Sequence, residues 1–431
     1  MSISTALNSA MSGLTAAGRA SDVISSNIAN AVTEGYGRRS LSLSANSIAG
    51  GGVRIDGVQR HSNPAITANL RSAEAGHGSA QLLSDFHAKL ESLIGNPLSG
   101  QSISGRLADF ESSLIAAASQ PESLQRLDAV AQRASDVVAA VNAAADGLRD
   151  IRTDADKSIS AQVDRVNNML AKVQKINVQM TTAGASGASV VALQDQRQVQ
   201  IDEINVMIPI KEVSRPNGQV ALYSAGGTIL LDGSAAQLSF TPVNDTMPDM
   251  TIENGALSGL QINGIPIRTS GQAGPVHGGT LVAQFQIRDE LSVAAQTQID
   301  AFARDLVERF ETSGVDPTLG AGDVGLFTDN SSSLDPAAEI GLSNRLRLNA
   351  LVDPNSGGDS WRLRDGLEAA SVGEVGDSRL LHAMETALTD ERPPSSGPTG
   401  TGILSASGFI SMLESDVGQN RSFSDQILGF A

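Results

Sequence analysis

Histidine is the side chain most often used for proton transfer and metal binding near neutral pH, and the chain has five. They are His61, His77, His87, His277 and His382. None stands in an H-E-x-x-H pattern or in another ligand spacing with Asp or Glu. His77 and His87 are too far apart in register to share one helix face. We therefore expect solvated or capping histidines rather than a metal or catalytic centre.

Two other segments have residue types that could bind ions. The Gly-rich stretch 50–57 could cradle a phosphate, but no strong helix follows it and no G-x-x-x-x-G-K-[ST] pattern occurs. Asp316 and Asp323 could offer oxygen ligands to Ca²⁺, but the EF-hand spacing is absent and turn-forming Asp is far commoner. There is no G-x-S-x-G elbow and no Cys. The sequence thus predicts no catalytic residue, no metal site and no cofactor, and a protein that is not an enzyme.

Charge and length limit the remaining possibilities. The chain has 30 basic and 47 acidic residues, a formal net charge of −17. Nucleic acids and anionic membranes bind basic surfaces, so neither is an expected partner. No run of about eighteen apolar residues occurs that could span a membrane. At 431 residues the chain is long enough for several compact units, because one core rarely grows beyond about 250 residues.

The N-terminal residues have the spacing of an amphipathic helix. Apolar side chains recur every three or four positions and form a narrow stripe, at Ile3, Leu7, Leu14, Ile24 and Ile28. Gly13 and Gly18 each weaken an isolated helix by about 1 kcal/mol relative to Ala. We therefore expect this helix to need a partner helix or a neighbouring subunit.

The period changes several times along the rest of the chain. Leu41 and Leu43 precede the break Gly50–Gly52, and Val53–Val58 follows it, which indicates a short hairpin. The helical period returns after Pro64 and is strongest over 121–181, where it predicts one long helix or two in line. Pro121 is expected in the first turn of that helix.

The patterns together predict a mainly α fold with a β-rich portion. We expect an elongated, multidomain protein with a long helical bundle and a projecting β domain. The predicted segments are an N-terminal coiled-coil or polymerisation helix at 1–36, a helical rod domain with a short β-hairpin at 37–207, a β-rich segment at 208–275, a helix returning to the rod at 276–315, an irregular Gly- and Asp-rich outer segment at 316–376, and a C-terminal helical part of the rod at 377–431.

One motif is more specific than these patterns. Residues 25–39 read S-S-N-I-A-N-A-V-T-E-G-Y-G-R-R. This stretch resembles the N-terminal signature of flagellar rod, hook and hook-associated proteins, whose usual form is S-N-N-I-A-N-x-x-T-x-G-Y. It departs from that form at Ser26, Val32 and Glu34, and it keeps the Ile, Ala, Asn and Gly-Tyr elements.

Three further stretches are similar to the hook-associated members of this family. The first is the helix Leu193–Arg197 with 201–204 after it, similar to L-x-D-Q-R-D. The second runs from Pro216–Val220 to 230–233 and resembles their β segment. The third joins 278–281 to Arg288 and Asp289. The resemblance extends from Ile3 to about Leu348.

This resemblance implies a structural subunit of the bacterial flagellum, needed for flagellum assembly and motility. Such a subunit is secreted unfolded through the flagellar type III export apparatus, with an export chaperone as a further partner. It self-associates into a ring at the extracellular junction between hook and filament, and contacts the hook protein and the next hook-associated protein or flagellin. The implied interface residues are Ile3, Leu7, Leu14, Ile24, Asn27, Ile28, Asn30, Gly35 and Tyr36.

Alternatives stay open at this point. Another axial protein of the hook or distal rod would share the signature at 25–36. A secreted surface hydrolase or adhesin based on the β-rich segment would need a pocket with convergent titratable groups. Family members normally end in a long amphipathic helix that pairs with the N-terminal one. This chain stops at 423–431, where that helix is expected to be approaching, so we predict a truncated C-terminal helical part.

Overall fold

A computed structural model describes residues 3–46, 51–95, 100–186, 189–271, 274–312, 314–397 and 402–431. The helices are α1 (Ile3–Ala29), α2 (Pro64–Ile94), α3 (Ile103–Ser119), α4 (Leu124–Ala185), α5 (Val191–Met207), α6 (Gly279–Gln286), α7 (Ser292–Phe310), α8 (Leu342–Arg345), α9 (Arg362–Asp365), α10 (Arg379–Thr389) and α11 (Ala406–Phe430). The strands are β1 (Arg39–Ala45), β2 (Val53–Arg60), β3 (Ile210–Ser214), β4 (Val220–Ser224), β5 (Ile229–Asp232), β6 (Ser234–Ala235), β7 (Leu238–Ser239), β8 (Leu260–Ile262), β9 (Ile265–Ile267), β10 (Phe327–Asp329) and β11 (Leu346–Leu348). Among the helices of these residues, none combines the length and apolarity needed to cross a membrane.

Helix α4 is the longest element and continues without a break. Its 62 residues correspond to about 90 Å at 1.5 Å per residue. The periodicity of residues 121–181 was compatible with one long helix or with two helices in line, and the structure has one. The expectation that Pro121 lies in its first turn is wrong: residues 120–123 form a separate turn, in which the Ser123 N–H donates to Gln120 O at 3.1 Å, and α4 begins at Leu124.

The first half of α4 lies in a core formed with α2, α3, α7, α10 and α11. Its centre has the rings of Phe110, Phe310 and Phe327, with centroids 5.3 to 6.3 Å apart. The sequence analysis did not identify α3 as a separate helix. The segment predicted as outer at 316–376 is irregular; some of its apolar side chains, including Leu326 and Leu346, are fully buried in this core, whereas others, such as Ile340 and Val372, are exposed. The buried ones fill the space between helices, and the outer position of the segment stays a prediction.

The second half of α4 lies in another core, formed with α5, α6 and the β-rich segment. Strands β3–β6 form one antiparallel sheet, and β7–β9 form another. Leu222, Leu230 and Leu231 are fully buried and belong to this core. The predicted mainly α fold with a β-rich portion is confirmed.

An ion pair lies where the two cores meet. On α4, Ala155 belongs to the first core and Ile159 to the second, and Asp156 stands between them. Asp156 Oδ1 accepts from Arg288 Nη1 at 2.6 Å, and both side chains are fully buried. Arg288 lies in a π-helical turn, Ile287–Leu291, which interrupts the helix predicted at 276–315. This turn places the guanidinium against α4.

The same pair also holds the β-rich segment. Asp156 Oδ2 accepts from Val243 N at 2.7 Å, and Arg288 Nη2 donates to Ser258 O at 3.0 Å. The guanidinium carbon lies 5.1 Å from the ring centroid of Phe285. Each charge is thus neutralised and its hydrogen-bonding capacity is used, which a buried ion pair requires.

The C-terminal helix α11 packs along α2. Phe409, Ile410 and Leu413 are buried in the first core, and Ser84 Oγ on α2 donates to Asp425 Oδ1 at 2.6 Å. Arg421 and Glu91 form an ion pair farther along the contact. Phe423, Ile427 and Phe430 lie outside it and are exposed.

We expect Asp156→Asn to lower the free energy of unfolding by about 1.5–3 kcal/mol, because the fully buried guanidinium of Arg288 loses its charged hydrogen bond to Asp156 and keeps Asp289 as its one carboxylate partner. A denaturant titration followed by circular dichroism measures the loss. The matched control is Asp154→Asn, since Asp154 is exposed on the same helix. Equal stability of the two variants would contradict this role.

Candidate functional site

Helix α1 presents an apolar face to solvent. The side chains predicted for its stripe are all between 57 and 90% exposed: Ile3, Leu7, Leu14, Ile24 and Ile28. Met11 belongs to the same surface, and Ala16 is the buried residue of this helix. An amphipathic helix whose apolar side chains face water is a typical surface for association. We call this surface the α1 face.

The β1–β2 hairpin returns along α1 and fixes its first half. The Val53 N–H donates to Ser12 Oγ at 3.1 Å. Gly52 has a φ of +103° and lies so close to Ser12 that a Cβ there would be 2.5 Å from the hydroxyl oxygen. The glycines at 51 and 52 therefore allow close packing on α1 instead of forming a phosphate loop; Gly50 lies outside the described residues.

The end of α1 is joined to β1 through Asn27. Its amide donates to Arg39 O at 2.8 Å, and its Oδ1 accepts from the Arg39 N–H at 2.9 Å. The Tyr36 hydroxyl donates to the same Oδ1 at 3.0 Å. Asn30 closes the turn by donating to Ser26 O at 2.9 Å. These hydrogen bonds set the angle between α1 and the hairpin.

Gly35 lets this turn approach helix α5. Its φ of +72° lies in the left-handed region, which favours glycine. A Cβ at this position would also overlap Val199 Cγ2 and come within 3.2 Å of Asp195 O. The signature thus needs Gly35 both for its backbone conformation and for contact with α5.

Asp195 on α5 binds both strands of the hairpin at its open end. Its Oδ2 accepts from Arg39 Nη2 at 2.6 Å, and its Oδ1 accepts from Arg60 Nε at 2.7 Å. The Gly37 N–H also donates to Oδ1, at 3.0 Å. Arg39 further lies over the Tyr36 ring, with its guanidinium carbon 4.6 Å from the centroid. The carboxylate therefore fixes the hairpin and, through Asn27, helix α1. We call Asp195, Arg39, Arg60 and Gly37 the anchor.

The anchor holds Asp195 in its charged form. Burial alone would raise the pKa of this carboxyl, but the hydrogen bonds from Arg39, Arg60 and the Gly37 N–H outweigh burial and lower the pKa. Because the pKa is lower in the folded state, the stabilisation is fully present above the unfolded pKa. It is lost as the pH falls through the folded value.

Arg197 belongs to the same Leu193–Arg197 stretch but faces the other way. Its Nη1 donates to Gly218 O at 2.7 Å and to Asn177 Oδ1 at 3.1 Å. Asn177 in turn donates to Val220 O at 2.9 Å. This side chain therefore ties the turn between β3 and β4 to α5 and α4.

The other candidate side chains do not converge. His61 Nε2 lies 2.6 Å from Ser40 Oγ, and His277 Nδ1 lies 2.9 Å from Gly274 O. Burial lowers the pKa of His87, although Asp425 opposes the shift. His382 lies beside Glu385. Within the described ranges, no group of three or more His, Asp or Glu residues has the arrangement of a metal site.

Asp316 and Asp323 have the geometry of turn formers. Asp316 Oδ1 accepts from the Thr318 N–H at 2.9 Å, and Oδ2 accepts from the Leu367 N–H at 2.8 Å. Asp323 Oδ2 accepts from the Gly320 N–H at 2.7 Å. Their oxygens are used by the backbone, as the sequence analysis favoured.

A cavity of about 960 Å³ beside the β-rich segment has Arg152 and Asp289 in its wall. Both side chains are engaged with the Arg288 cluster, through Arg288 O and the Arg288 guanidinium. Among the described residues, no histidine lines this cavity. Arg152 and Asp289 therefore have structural partners; Glu253, Arg268 and Glu290 also lie in the wall.

The predicted interface residues fall into two groups. The five apolar ones form the α1 face and are exposed. Asn27, Asn30, Gly35 and Tyr36 are half-buried and are engaged within the chain. For these four residues, contact between subunits stays a prediction. Within the chain they connect α1 to the hairpin and to α5.

Sequence reasoning missed the anchor. Asp195, Arg39 and Arg60 are far apart in sequence, and an acidic side chain in an amphipathic helix ordinarily faces solvent. The available signal was that Asp195 and Arg39 each lie in a motif similar to the same family. Two separate motifs of one family are reasonable candidates for mutual contact.

We expect Asp195→Asn to weaken the docking of the hairpin by about 1–3 kcal/mol, because Arg39 and Arg60 lose charge-assisted hydrogen bonds in a mostly buried place. Lowering the pH through the folded pKa of Asp195 should act in the same direction. Hydrogen exchange of the Gly37 and β1–β2 amides measures the change. The control is Asp56→Asn, which breaks an exposed pair with Arg54 on the same hairpin. Unchanged exchange in Asp195→Asn would disprove the anchor.

Two family models match the chain. The model described as flagellar hook-associated protein FlgK helical domain matches residues 87–318. The model described as flagella basal body rod protein matches residues 7–36, which contain most of α1 and its turn. The anchor joins these two matched regions, since Asp195 lies in the first and Gly37 directly follows the second.

Several proteins are similar along the chain. The flagellar hook-associated protein 1 of Escherichia coli K12 is 26% identical over 427 residues, with 90% of this chain and 77% of that protein covered. The protein of that name from Salmonella typhimurium LT2 is 30% identical over 286 residues, with 60% of this chain covered. The chain spans about half the length of this Salmonella relative, 51%.

A solved structure, the flagellar hook junction protein FlgK from Burkholderia pseudomallei, aligns with a TM-score of 0.49 and 18% identity. The alignment covers 61% of this chain and 46% of that one. The helical-domain model alone matches more than half of the residues, from α2 to beyond α7. The chain therefore belongs to the flagellar hook-associated protein family.

Proposed function

We propose that the chain is a structural subunit of the junction between the flagellar hook and filament, and that its copies associate into a ring through the α1 face. The observation that carries the proposal is the exposure of Ile3, Leu7, Leu14, Ile24 and Ile28 on one helix. A folded chain gains nothing from apolar side chains in water, whereas a contact between copies would bury them.

The anchor supports this proposal because it orients the α1 face before any partner arrives. Asp195 holds the hairpin, and Asn27 joins the hairpin to α1. A pre-oriented surface loses less conformational entropy on association than a flexible one. The exposed Phe423, Ile427 and Phe430 of α11 provide a second apolar surface that a neighbour could cover.

The proposed partners follow from the position of the junction. They are further copies of the chain, the hook protein on one side, and the next hook-associated protein or flagellin on the other. Delivery would use the flagellar type III export apparatus and an export chaperone. The proposed place is the extracellular flagellum, and the proposed role is structural rather than catalytic.

A hook or distal-rod subunit is the second candidate. The match of residues 7–36 to a rod-protein model is compatible with it but does not favour it over the junction. That match covers α1 and its turn, which are the elements proposed to assemble, whereas the longer match is to the hook-associated helical domain. We therefore place the junction first.

We expect Leu7→Asp combined with Leu14→Asp to reduce incorporation at hook tips by tenfold or more, since each buried contact at an interface centre contributes about 2 kcal/mol. Both side chains are exposed within the single chain, so the fold should be retained. Incorporation is measured by antibody labelling of hooks from a strain that lacks its own copy, and motility on soft agar is scored in parallel.

The matched control is Arg19→Gln combined with Asp22→Asn, which changes two exposed polar side chains on the same helix. Circular dichroism should be alike for both double variants. Wild-type incorporation of the Asp variant would contradict the role of the α1 face.

Immunogold counting separates the junction from the hook and the rod. A junction subunit should label one band at the hook tip, with the copy number of about one ring. Labelling along the whole hook, or within the rod, would contradict the junction assignment while leaving the α1 face as an assembly surface.

A further inference from the structure

A second cavity, of about 470 Å³, opens between α2, α5 and the strands β3 and β4. Its wall is unusually basic for this acidic chain. The charged side chains in it are Arg60, Arg71, Arg197, Lys211, Glu212 and Arg215, which are five cations and one carboxylate. Such a concentration of one sign attracts oppositely charged groups.

Three of these cations have carboxylate partners. Arg60 pairs with Asp195 in the anchor. Arg71 pairs with Asp202 at 2.6 Å and with Glu212 at 2.9 Å. Arg215 pairs with Asp232. The two remaining cations of the wall are Arg197 and Lys211.

Arg197 and Lys211 have no carboxylate within ion-pair distance in the part of the chain that the structure describes. Arg197 is only 8% exposed. A guanidinium that is buried to this extent without a carboxylate in contact is costly. Glu212 acts on Arg197 from beyond ion-pair distance and is itself paired with Arg71. The cations of this wall therefore outnumber its one carboxylate.

Arg197 also has unused donors. Its bonds to Gly218, Asn177 and Met180 all come from Nη1. Nε and Nη2 form no hydrogen bond with the described residues, yet neither is enclosed by them. These two nitrogens lie on one edge of the guanidinium, the edge that matches the two oxygens of a carboxylate or phosphate.

We propose that this cavity binds an oxyanion, a carboxylate or a phosphate group, with Arg197 Nε and Nη2 as a paired donor and Lys211 as the second cation. Two sources have this chemistry: a free anion, and an acidic side chain of a second copy of the chain. The site is distinct from the α1 face, and it can exist whether or not the junction assignment holds.

Titration of the full chain with inorganic phosphate at constant ionic strength, followed by calorimetry, tests the site. We expect saturable binding with one anion per chain. Arg197→Gln should weaken it roughly tenfold or more, because it removes both hydrogen bonds of the paired donor to the charged anion. Lys211→Gln should weaken it less, since this side chain lies on an exposed position of β3.

Controls keep the result interpretable. Lys157→Gln removes an exposed cation of α4 that is outside the cavity wall, and its affinity should equal that of the wild type. Circular dichroism establishes that Arg197→Gln is folded; Lys211→Gln tests the site independently if it is not. No saturable binding, or equal binding by wild type, Arg197→Gln and Lys211→Gln, would overturn the proposal.

Sedimentation of the chain with and without phosphate distinguishes the two sources. If the occupant is an acidic side chain of another copy, phosphate should weaken self-association of the wild type, and Arg197→Gln should associate more weakly with no further effect of phosphate. If association is the same in all cases while phosphate still binds, the occupant is a free anion. The Leu7 and Leu14 double variant should retain phosphate binding, so this test is separate from that of the α1 face.

Discussion

The buried pair of Asp156 and Arg288 determines how the two cores are joined. Neither side chain has access to water; Arg288 neutralises Asp156 and is itself also bonded to Asp289. The observed register of α4 against the π-helical turn forms this pair and also places Val243 and Ser258 of the β-rich segment within hydrogen-bond distance. A buried polar contact has a narrower geometric requirement than apolar packing, so it specifies the arrangement of the two cores more closely.

Charged side chains of helix α5 likewise fix its contacts, with the N-terminal hairpin and with the β-rich segment. Asp195 and Arg197 are two residues apart, so they leave the helix in different directions. Asp195 reaches the hairpin, and Arg197 reaches the β3–β4 turn. One short helix therefore connects the element proposed for assembly with the β-rich segment. This explains in physical terms why the motif similar to L-x-D-Q-R-D has both charges.

Much of the fold was predictable because it follows from local spacing. The long period of α4, the hairpin around Gly52 and the exposed stripe of α1 each depend on residues close in sequence. The anchor and the Asp156–Arg288 pair were not predictable in this way, since each joins residues more than a hundred positions apart. The burial of Leu326 in segment 316–376 was not predictable for a different reason: the short elements of this segment have no regular period, and only the tertiary structure shows which side chains are buried.

The unbroken course of α4 has a mechanical consequence. Separate units joined by a loop can rotate when a few backbone dihedral angles change. Here the two cores share one helix of 62 residues, so displacing one relative to the other requires the helix to bend or its backbone hydrogen bonds to break. A torque applied at one end would be carried to the other by the whole row of those bonds. The two cores are thus connected by one continuous helix that resists bending.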